Sequence, residues 1–294
     1  MRFFLRIALL LISFVSPANA WWNGGHMIAA EVAHRYLTPE TRCECEGLLS
    51  LLDEFFPDSS NFVTASIWAD QLRDGGLDAF NSWHYVVQPY DPEGILSQEQ
   101  RIQIEKTGEN ANAAWAIEQA VKTLSNPNAI PFGKALMLRF LIHLVADIHM
   151  PLHVTTLYSH QFPAGDRGGN LYIIRSPIAP NLHLLWDAGV GAFPLVDSPS
   201  TPVQRQNARR YAKQSIDRYP PNSLAGTKNL DVQDWLREGF DIAKDHAYKT
   251  KRFMVPSHEY IAEGQEICQR RIVLAGYRLA NLLNSIFQES QELN

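Results

Sequence analysis

Residues 134–148 read KALMLRFLIHLVADI, and this stretch decides the fold class. Its positions are mostly apolar, with no internal glycine or proline, which predicts a long helix that ends before Pro151. Arg139 precedes His143 by about one turn on the same face. An offset of four residues is about 40° on a helix, so His143 and Asp147 point from one face. A single His/Asp pair is usually a surface pair, so its meaning depends on the rest of the chain.

Helical periodicity recurs along the whole chain, whereas strand-like alternation is scarce. One short strand is predicted at residues 171–174, as half of a hairpin that ends near Leu182 and His183. The fold class is therefore predicted as all-α, a single helical domain with long functional loops on one side. Further helices are predicted over 28–36, 44–52, 111–124, 207–219, 232–248 and 260–285, and long loops over 74–81, 88–96 and 157–170.

Residues 1–20 have the marks of a cleavable signal peptide. Arg2 and Arg6 form a basic start, a short apolar run follows, and the segment closes on the small residues Ala18-Asn19-Ala20. The apolar run is too short to span a bilayer comfortably. We expect cleavage to leave residues 21–294 as one mature domain, exported to the periplasm or secreted.

The charge of the chain limits how it can bind nucleic acid. The formal net charge is −5, and loss of the signal peptide removes two arginines and no acid, which leaves −7. An acidic protein is a poor candidate for binding nucleic acid through a basic surface. If the protein acts on phosphates, bound metal is the obvious source of positive charge.

Three cysteines are present, Cys43, Cys45 and Cys268, so at least one thiol stays unpaired within the chain. Export makes a disulfide permissible. Because Cys43 and Cys45 are only two residues apart, a bridge between one of them and Cys268 is predicted. No C-x-x-C pair is present, so a thiolate zinc finger is not supported.

A second His/Asp pair strengthens the case for metal. The block Asn-Leu-His-Leu-Leu-Trp-Asp repeats the four-residue spacing with His183 and Asp187, and His153 follows just past Pro151. Two such pairs and a further histidine suit a divalent metal held by imidazole and carboxylate. Zinc, manganese and iron are all chemically suitable for such ligands.

Upstream residues are weaker candidates when each is taken alone. Asp70 by itself is interpreted as a helix cap or a solvated residue. His84 by itself is interpreted as a core histidine between aromatic residues. His26 lies five residues after the predicted cleavage point. A free α-amino group has a pKa near 8, so a metal can displace its proton and close a chelate ring with the carbonyl oxygen of Trp21. The simpler alternative is that Trp21 and Trp22 pack the terminus.

Taken in their order along the chain, these candidate ligands resemble the metal-ligand series of the S1/P1 nuclease family. The resemblance covers nearly the whole mature chain, and it implies an all-α fold of the S1/P1 nuclease and zinc phospholipase C type with three zinc ions. The matching motifs are Trp21…His26, Trp68-Ala69-Asp70, His84, His143-x-x-x-Asp147, His153, His183-x-x-Trp186-Asp187, Gly168-Gly169-Asn170 and Gly276-Tyr277-Arg278-Leu279-Ala280-Asn281. The implied ligands are Asp70, His84, His143 and Asp147 for one zinc, Trp21, His26 and a shared Asp147 for the second, and His153, His183 and Asp187 for the third.

The resemblance also implies an activity, which is hydrolysis of single-stranded DNA and RNA to 5′-phosphorylated products, with 3′-nucleotidase activity on nucleotides. Metal would make hydroxide available at pH 7 for in-line attack on phosphorus. Asp70 would orient the nucleophile and Arg73 would stabilise phosphate oxygens. Tyr85 would stack on a base, which favours unpaired strands because duplex bases cannot offer their faces. Asn170 would position the base or the scissile region.

The chain departs from the family pattern in two places. Val87 stands where the family usually places an acid near the active-site arginine, so Arg73 would lack its partner or find Asp91 instead. The segment from His153 to Gly168 is longer than expected and would border the pocket. Within it, His160 is interpreted as a solvated loop histidine.

Two other function classes remain open. A zinc phospholipase C would use the same metals on a phospholipid substrate, and a non-catalytic protein would only bind zinc. The context of Asp70, the block at 181–187 and the ending at 276–281 favour the nuclease. No stable protein partner is implied. The remaining histidines are interpreted as structural or surface residues: His34, His149, His246 and His258.

Overall fold

The computed structural model describes residues 21–109, 111–193 and 201–292, so the predicted signal peptide 1–20 lies outside the described residues. Within these ranges the regular secondary structure is almost entirely helical, which confirms the predicted all-α class. The α-helices there are α1 (Asn23–Tyr36), α2 (Pro39–Ser50), α3 (Phe62–Ala65), α4 (Trp68–Asp74), α5 (Gln98–Glu109), α6 (Ala113–Ser125), α7 (Pro131–Asp147), α8 (Leu182–Asp187), α9 (Pro202–Arg218), α10 (Val232–Asp245) and α11 (His258–Glu292).

Several helices begin earlier than predicted, and in two of them a Thr-Pro pair accounts for the earlier start. α2 begins at Pro39 and α9 at Pro202, both about one turn before the predicted starts. The side-chain oxygens of Thr38 and Thr201 accept first-turn N–H groups at 3.1 and 3.3 Å. Proline suits the first helical position, where its missing N–H would have had no partner.

The strand predicted at residues 171–174 does not form, but the predicted hairpin contact does. The N–H of Leu182 donates to the carbonyl of Tyr172 at 2.9 Å, and the N–H of Ile174 donates to that of Pro180 at 3.1 Å. Ile173 forms only an isolated antiparallel bridge with Asn181. The side chain of Asn181 accepts the N–H of Leu184 at 2.8 Å and so starts α8, where the hairpin was expected to end.

The strand pairing in the described part of the chain is parallel and very short. β1 (Pro89–Tyr90) pairs with β2 (Thr156–Leu157), with Pro89 opposite Thr156 and Tyr90 opposite Leu157. The N–H of Tyr158 continues this contact to the carbonyl of Tyr90 at 2.7 Å. The pairing fixes the start of the long loop 157–170 against the segment that follows His84.

The central helix is α7, and it explains where the polar residues lie. Residues 138–148 are at most 1% exposed, and α2, α4, α6 and α11 all pack against the helix. Because burial is complete, His143 and Asp147 must find polar partners inside the molecule. α1 lies along α11, and a Cβ at Gly276 would approach the Val32 side chain to 2.6 Å, so glycine permits this close packing.

The cysteines do not form the predicted disulfide, and all three thiols are free. Cys45 is packed in the apolar cluster around α2, α6 and α7, whereas Cys268 belongs to the cluster around α1, α8 and α11. Cys43 is exposed on α2. The thiols therefore lie in different environments, and burial raises the pKa of both Cys45 and Cys268. Among the described residues, no helix combines the length and apolar character that a membrane span requires.

Candidate metal centre

The first group of polar side chains meets at the C-terminal end of α7. His143 Nε2 lies 3.0 Å from Asp147 Oδ2, and His84 Nδ1 lies 3.1 Å from the same oxygen. Asp70 Oδ1 is 3.7 Å from His84 Nδ1 and 3.8 Å from His143 Nε2. All four side chains are buried, and they come from α4, the 3₁₀ turn Asp78–His84 and α7.

The second group shares Asp147 with the first. His26, on α1, places its Nε2 3.3 Å from Asp147 Oδ1 and 4.0 Å from Asp70 Oδ2. Its ring stacks on that of His143, with centroids 4.0 Å apart. The carboxylate of Asp147 thus faces His26 with one oxygen and the pair of His84 and His143 with the other.

Trp21 lies beside this second group. Its indole is fully buried, and Nε1 donates a hydrogen bond of 2.7 Å to the carbonyl of Ala146, the residue before Asp147. The backbone N–H of Trp22 donates to the carbonyl of Asp187 at 3.0 Å. Residues 21 and 22 are therefore held between Ala146, which precedes Asp147, and Asp187.

The third group consists of His153, His183 and Asp187. His183 Nε2 lies 3.4 Å from Asp187 Oδ2, and His153 Nε2 lies 3.8 Å from Asp187 Oδ1. The two rings are stacked with centroids 5.0 Å apart. α8 presents His183 and Asp187 one turn apart, while the 3₁₀ turn Pro151–His153 brings His153 to them.

Backbone carbonyls orient three of the histidine rings. The Nδ1–H groups of His143, His153 and His183 donate to the carbonyls of Ser66, His84 and Gly168 at 2.6, 2.7 and 2.6 Å. In the neutral ring each bond places the proton on Nδ1 and turns the Nε2 lone pair toward the centre, as in histidines that bind metal. Sequence reasoning missed Ser66, because a backbone acceptor leaves no side-chain pattern.

The donor set of the third group fits a divalent cation. Both oxygens of Asp187 and the Nε2 of His153 are buried without a hydrogen-bond partner among the described residues. Burial and the nearby Asp70 and Asp147 hold the pKa of Asp187 well above its usual value. An orphaned carboxylate is costly to bury unless a cation compensates it. The arrangement is therefore what a metal site requires.

The protonation of the histidines agrees with this fit. Burial lowers the pKa of His153 to about 4 and that of His183 to about 3, so both rings are neutral at pH 7 and able to bind metal. Burial also disfavours the charged form of His143, but the carboxylates of Asp147 and Asp70 outweigh it and raise the pKa to about 9. Metal would have to displace that proton. His143 and the neighbouring histidines in turn outweigh burial and hold the pKa of Asp147 well below its usual value.

Arg73 finds its partner within the centre. Its Nη2 lies 2.9 Å from Asp70 Oδ1 and 3.4 Å from Asp74, and the side chain is 9% exposed. The expected pairing with Asp91 is wrong, because Asp91 instead accepts a hydrogen bond of 2.6 Å from Arg101. Arg139, one turn before His143, does not belong to the centre, since its guanidinium donates to carbonyls of Ser59 and Leu49.

The two candidate substrate-binding residues lie at the surface. Tyr85 is 41% exposed, and its carbonyl accepts the N–H of Ala113 at 3.2 Å, so the backbone is fixed while the ring is accessible. Asn170 donates from Nδ2 to the carbonyl of Arg167 at 2.9 Å and stabilises the turn behind His183. His160 is exposed and hydrogen-bonds to Glu93.

The structure thus brings eight of the nine predicted ligand side chains together from six separate parts of the chain, and it places Trp21 beside them. These eight, all but Trp21, fall into three sets whose candidate ligand atoms lie within 4.8 Å of one another. The three sets that meet this distance are His26, Asp70 and His143; His84, His143 and Asp147; and His153, His183 and Asp187.

Comparisons with known proteins identify the family of the chain. The family described as S1/P1 Nuclease matches residues 21–288 of the chain. Nuclease S1 of Aspergillus oryzae is 22% identical, with 96% of this chain and 97% of that protein covered. Nuclease P1 of Penicillium citrinum is 25% identical, over 90% of this chain and 97% of its own length. Endonuclease 4 of Arabidopsis thaliana is 24% identical, with 97% of this chain and 95% of that protein covered.

Proposed function

The chain belongs to the S1/P1 nuclease family, and from this premise we propose that it is a hydrolase that cuts phosphodiester bonds in single-stranded DNA and RNA. The curated relatives are named as nucleases and endonucleases and are covered almost from end to end. The observation that carries the proposal is the presence of three buried groups of histidine and aspartate, with Asp147 placed between His26 and His84.

The centre would hold three zinc ions. Asp70, His84, His143 and Asp147 would form one site, and His153, His183 and Asp187 another. The remaining site would use His26, Asp147 and the amino nitrogen and carbonyl of Trp21. When bound, zinc would stabilise negative charge on phosphate oxygens and make a hydroxide nucleophile available near pH 7.

The residues around the zinc ligands would position the substrate. Arg73, held by Asp70 at 2.9 Å, has a nearly buried guanidinium suited to phosphate oxygens. Asp70 would also orient the attacking water. The accessible ring of Tyr85 would stack on a base, which an unpaired strand offers and a duplex does not. Asn170 would contact the substrate on the side of His183, and the products would carry 5′ phosphates.

Export would complete the site. Cleavage after Ala20 would free the α-amino group of Trp21, which becomes a metal ligand only when it carries no preceding residue. The buried indole of Trp21 and its hydrogen bond beside Asp147 support this role. We therefore propose that the enzyme gains activity in the periplasm or outside the cell, after processing.

A paired assay tests the proposal. Mature protein beginning at Trp21 is stripped with a chelator, reloaded with zinc, and given single-stranded DNA, single-stranded RNA, duplex DNA or phosphatidylcholine. We expect zinc-dependent 5′-phosphorylated products from both single strands and slow cleavage of the duplex. A 3′-nucleotide in a further tube measures nucleotidase activity. Hydrolysis of the lipid alone would overturn the proposal in favour of a zinc phospholipase C.

A further inference from the structure

A group of exposed apolar side chains lies beside the long loop and has no role in the centre described above. We call Leu171, Ile173, Phe253, Met254 and Val255 the apolar tip. These side chains are between 41% and 69% exposed. An exposed apolar group of this kind, when it is contiguous and bordered by polar residues, marks an interaction surface.

The apolar tip is built from two segments that are hydrogen-bonded side by side. The N–H of Phe253 donates to the carbonyl of Ile173 at 2.8 Å, and the N–H of Arg175 donates to that of Met254 at 2.9 Å. The hydroxyl of Tyr172 donates to the carbonyl of Thr250 at 2.9 Å. These bonds hold the two segments together, so the exposed side chains stand on an ordered backbone.

Phe253 is held in an unfavourable conformation that keeps it exposed. Its φ is +60°, which is uncommon for a bulky residue and is a strained backbone conformation. The guanidinium of Arg252 lies between two rings, 4.7 Å from the centroid of Phe253 and 4.5 Å from that of Phe162 in the long loop. One face of Phe253 is therefore supported from within, while 52% of the residue stays accessible.

Basic side chains border the apolar tip in a chain whose net charge is negative. Lys249, Lys251 and Arg175 are exposed, and Arg252 adds a fourth positive charge. The run Lys249-Thr250-Lys251-Arg252 has no acidic residue. Apolar side chains surrounded by lysine and arginine are the combination that binds the interface of an anionic bilayer.

Other occupants fit this chemistry less well. Four of the five residues of the apolar tip are aliphatic or thioether side chains, which give a nucleic acid no aromatic face for stacking. A second copy of the chain related by two-fold symmetry would place the apolar tip against itself and its basic border against the same basic border. That arrangement brings like charges together.

We propose that the apolar tip docks the protein on an anionic membrane surface. Met254 and Val255 enter the headgroup region, while Lys249, Lys251 and Arg175 contact lipid phosphates. The apolar tip continues from the turn that contains Gly168, whose carbonyl orients His183. Leu171 follows Gly168 by three residues, which span at most about 11 Å even when the chain is extended. Docking therefore holds the third ligand group close to the membrane surface. This does not depend on whether lipid is hydrolysed.

Sedimentation with vesicles tests the docking surface on zinc-loaded mature protein. The vesicles contain either equal parts of phosphatidylglycerol and phosphatidylcholine or phosphatidylcholine alone. We expect binding to the anionic vesicles at low salt, weaker binding in high salt because of screening, and little binding to phosphatidylcholine. The double variant Met254→Ser/Val255→Ser should lower the partition coefficient by about tenfold or more. Lys251→Gln should lower it about fivefold.

The matched control is Ile130→Ser/Phe132→Ser, which removes two apolar side chains of similar exposure, 68% and 57%, at the start of α7. This control should bind vesicles like the wild type, and thermal melts should show that all variants are folded. The proposal is overturned if wild-type protein ignores anionic vesicles, or if both double variants lose binding equally. A concentration-dependent dimer that only the Met254/Val255 variant abolishes would assign the surface to a second copy. Loss of nuclease activity would count against the proposed function and leave the docking result unaffected.

Discussion

The two oxygens of Asp147 face different histidines. Oδ1 lies 3.3 Å from His26, while Oδ2 lies 3.0 and 3.1 Å from His143 and His84. Asp147→Asn keeps the shape but replaces one oxygen with an N–H₂ group, which cannot bind metal. We expect the zinc content to fall from three equivalents to one. Loss of a residue that only hydrogen-bonds to a metal ligand lowers activity by up to about 100-fold, so loss of a shared ligand should lower it by more than about 100-fold.

Elemental analysis after gel filtration measures the zinc content of the Asp147→Asn variant. Asp217→Asn is the control, because Asp217 is an exposed aspartate on α9 that pairs only with Lys213 at the surface. The control should retain three equivalents and full activity. Three equivalents in Asp147→Asn would show that the carboxylate is not shared between two ions.

The terminal amine of Trp21 can be tested separately from its indole. A chain that retains Ala20 lacks the amine ligand but keeps the buried ring, so it should lose about one zinc equivalent and most of its activity. Trp21→Phe keeps the amine and loses the hydrogen bond from Nε1 to the carbonyl of Ala146, which is worth only about 1 kcal/mol. We expect the second variant to bind three zinc ions. If the extended chain keeps full zinc and activity, the amine is not a ligand.

At the level of elements, the turn that contains Gly168 connects the long loop to the third group of ligands. Gly168 has a φ of +60°, and a Cβ there would clash with the carbonyl oxygen of Leu152. Its own carbonyl accepts the Nδ1–H of His183. Gly168→Ala should therefore cost about 3 kcal/mol or more, from strain and overpacking together, and weaken zinc binding at His183 by about 10–100-fold.

Gly94→Ala provides the matched comparison for Gly168→Ala. Gly94 has a similar φ of +67°, but a Cβ there would meet nothing within 4 Å. The Gly94→Ala variant should lose about 1 kcal/mol of folding stability from backbone strain alone, and it should bind zinc normally. Thermal melts and competition with a chelator measure both effects. Equal zinc affinity in the two variants would contradict the orienting role of the Gly168 carbonyl.

The elements that the sequence predicts well are those with a strong local signal. The apolar run of α7 and the four-residue spacing of its His143 and Asp147 predict both the helix and the shared face. α8 was missed because it is only six residues long, and α5 because its sequence is polar and lacks an apolar stripe. The starts of α2 and α9 were misplaced because proline was taken only as a sign that helices end.

Within the site, local spacing predicts pairs but not the packing between elements. The contact of His26 on α1 with Asp147 on α7 came from the family resemblance, and no periodicity in the chain indicates it. Arg73 was expected to need a distant acid, yet the i, i+3 partner Asp70 on the same helix suffices. The predicted bridge to Cys268 failed for the same reason, since spacing says nothing about which apolar cluster receives a thiol.

On the scale of the whole molecule, a largely buried charge network joins α10 and α11 to the segment that follows α7. Glu238 on α10 accepts hydrogen bonds from Arg271 at 2.6 Å and from Arg278 at 2.7 Å, both on α11. Arg278 also contacts His149 Nε2 at 3.0 Å, and Arg271 donates to the carbonyl of His149. His149 follows α7 by two residues. The network therefore links the packing of α10 and α11 to the end of the helix that carries Asp147.

Replacing Glu238 should destabilise the molecule without removing a ligand. Glu238→Gln leaves two buried guanidinium groups without a counter-charge, and removing one partner of a fully buried pair costs about 3–5 kcal/mol. Because Glu238 is 36% exposed, solvent screening reduces the expected cost to about 2 kcal/mol. Asp241→Asn, which removes an exposed pair on the same helix, should change stability by less than about 0.5 kcal/mol. Denaturant titrations of the zinc-loaded proteins compare the two variants.

The pH dependence separates the charge of Glu238 from its shape. Burial alone would raise the pKa of Glu238, but the hydrogen bonds and charges of Arg278 and Arg271 outweigh it and hold the pKa below its usual 4.5. A depressed pKa in the folded state contributes stability that is fully present above pH 4.5 and is lost as the pH falls through the folded-state value. The difference between wild type and Glu238→Gln should thus stay constant from neutral pH down to about pH 5 and shrink below it. Zinc release in acid affects both proteins alike and leaves their difference unchanged. A difference independent of pH throughout would mean that Glu238 contributes packing and not charge.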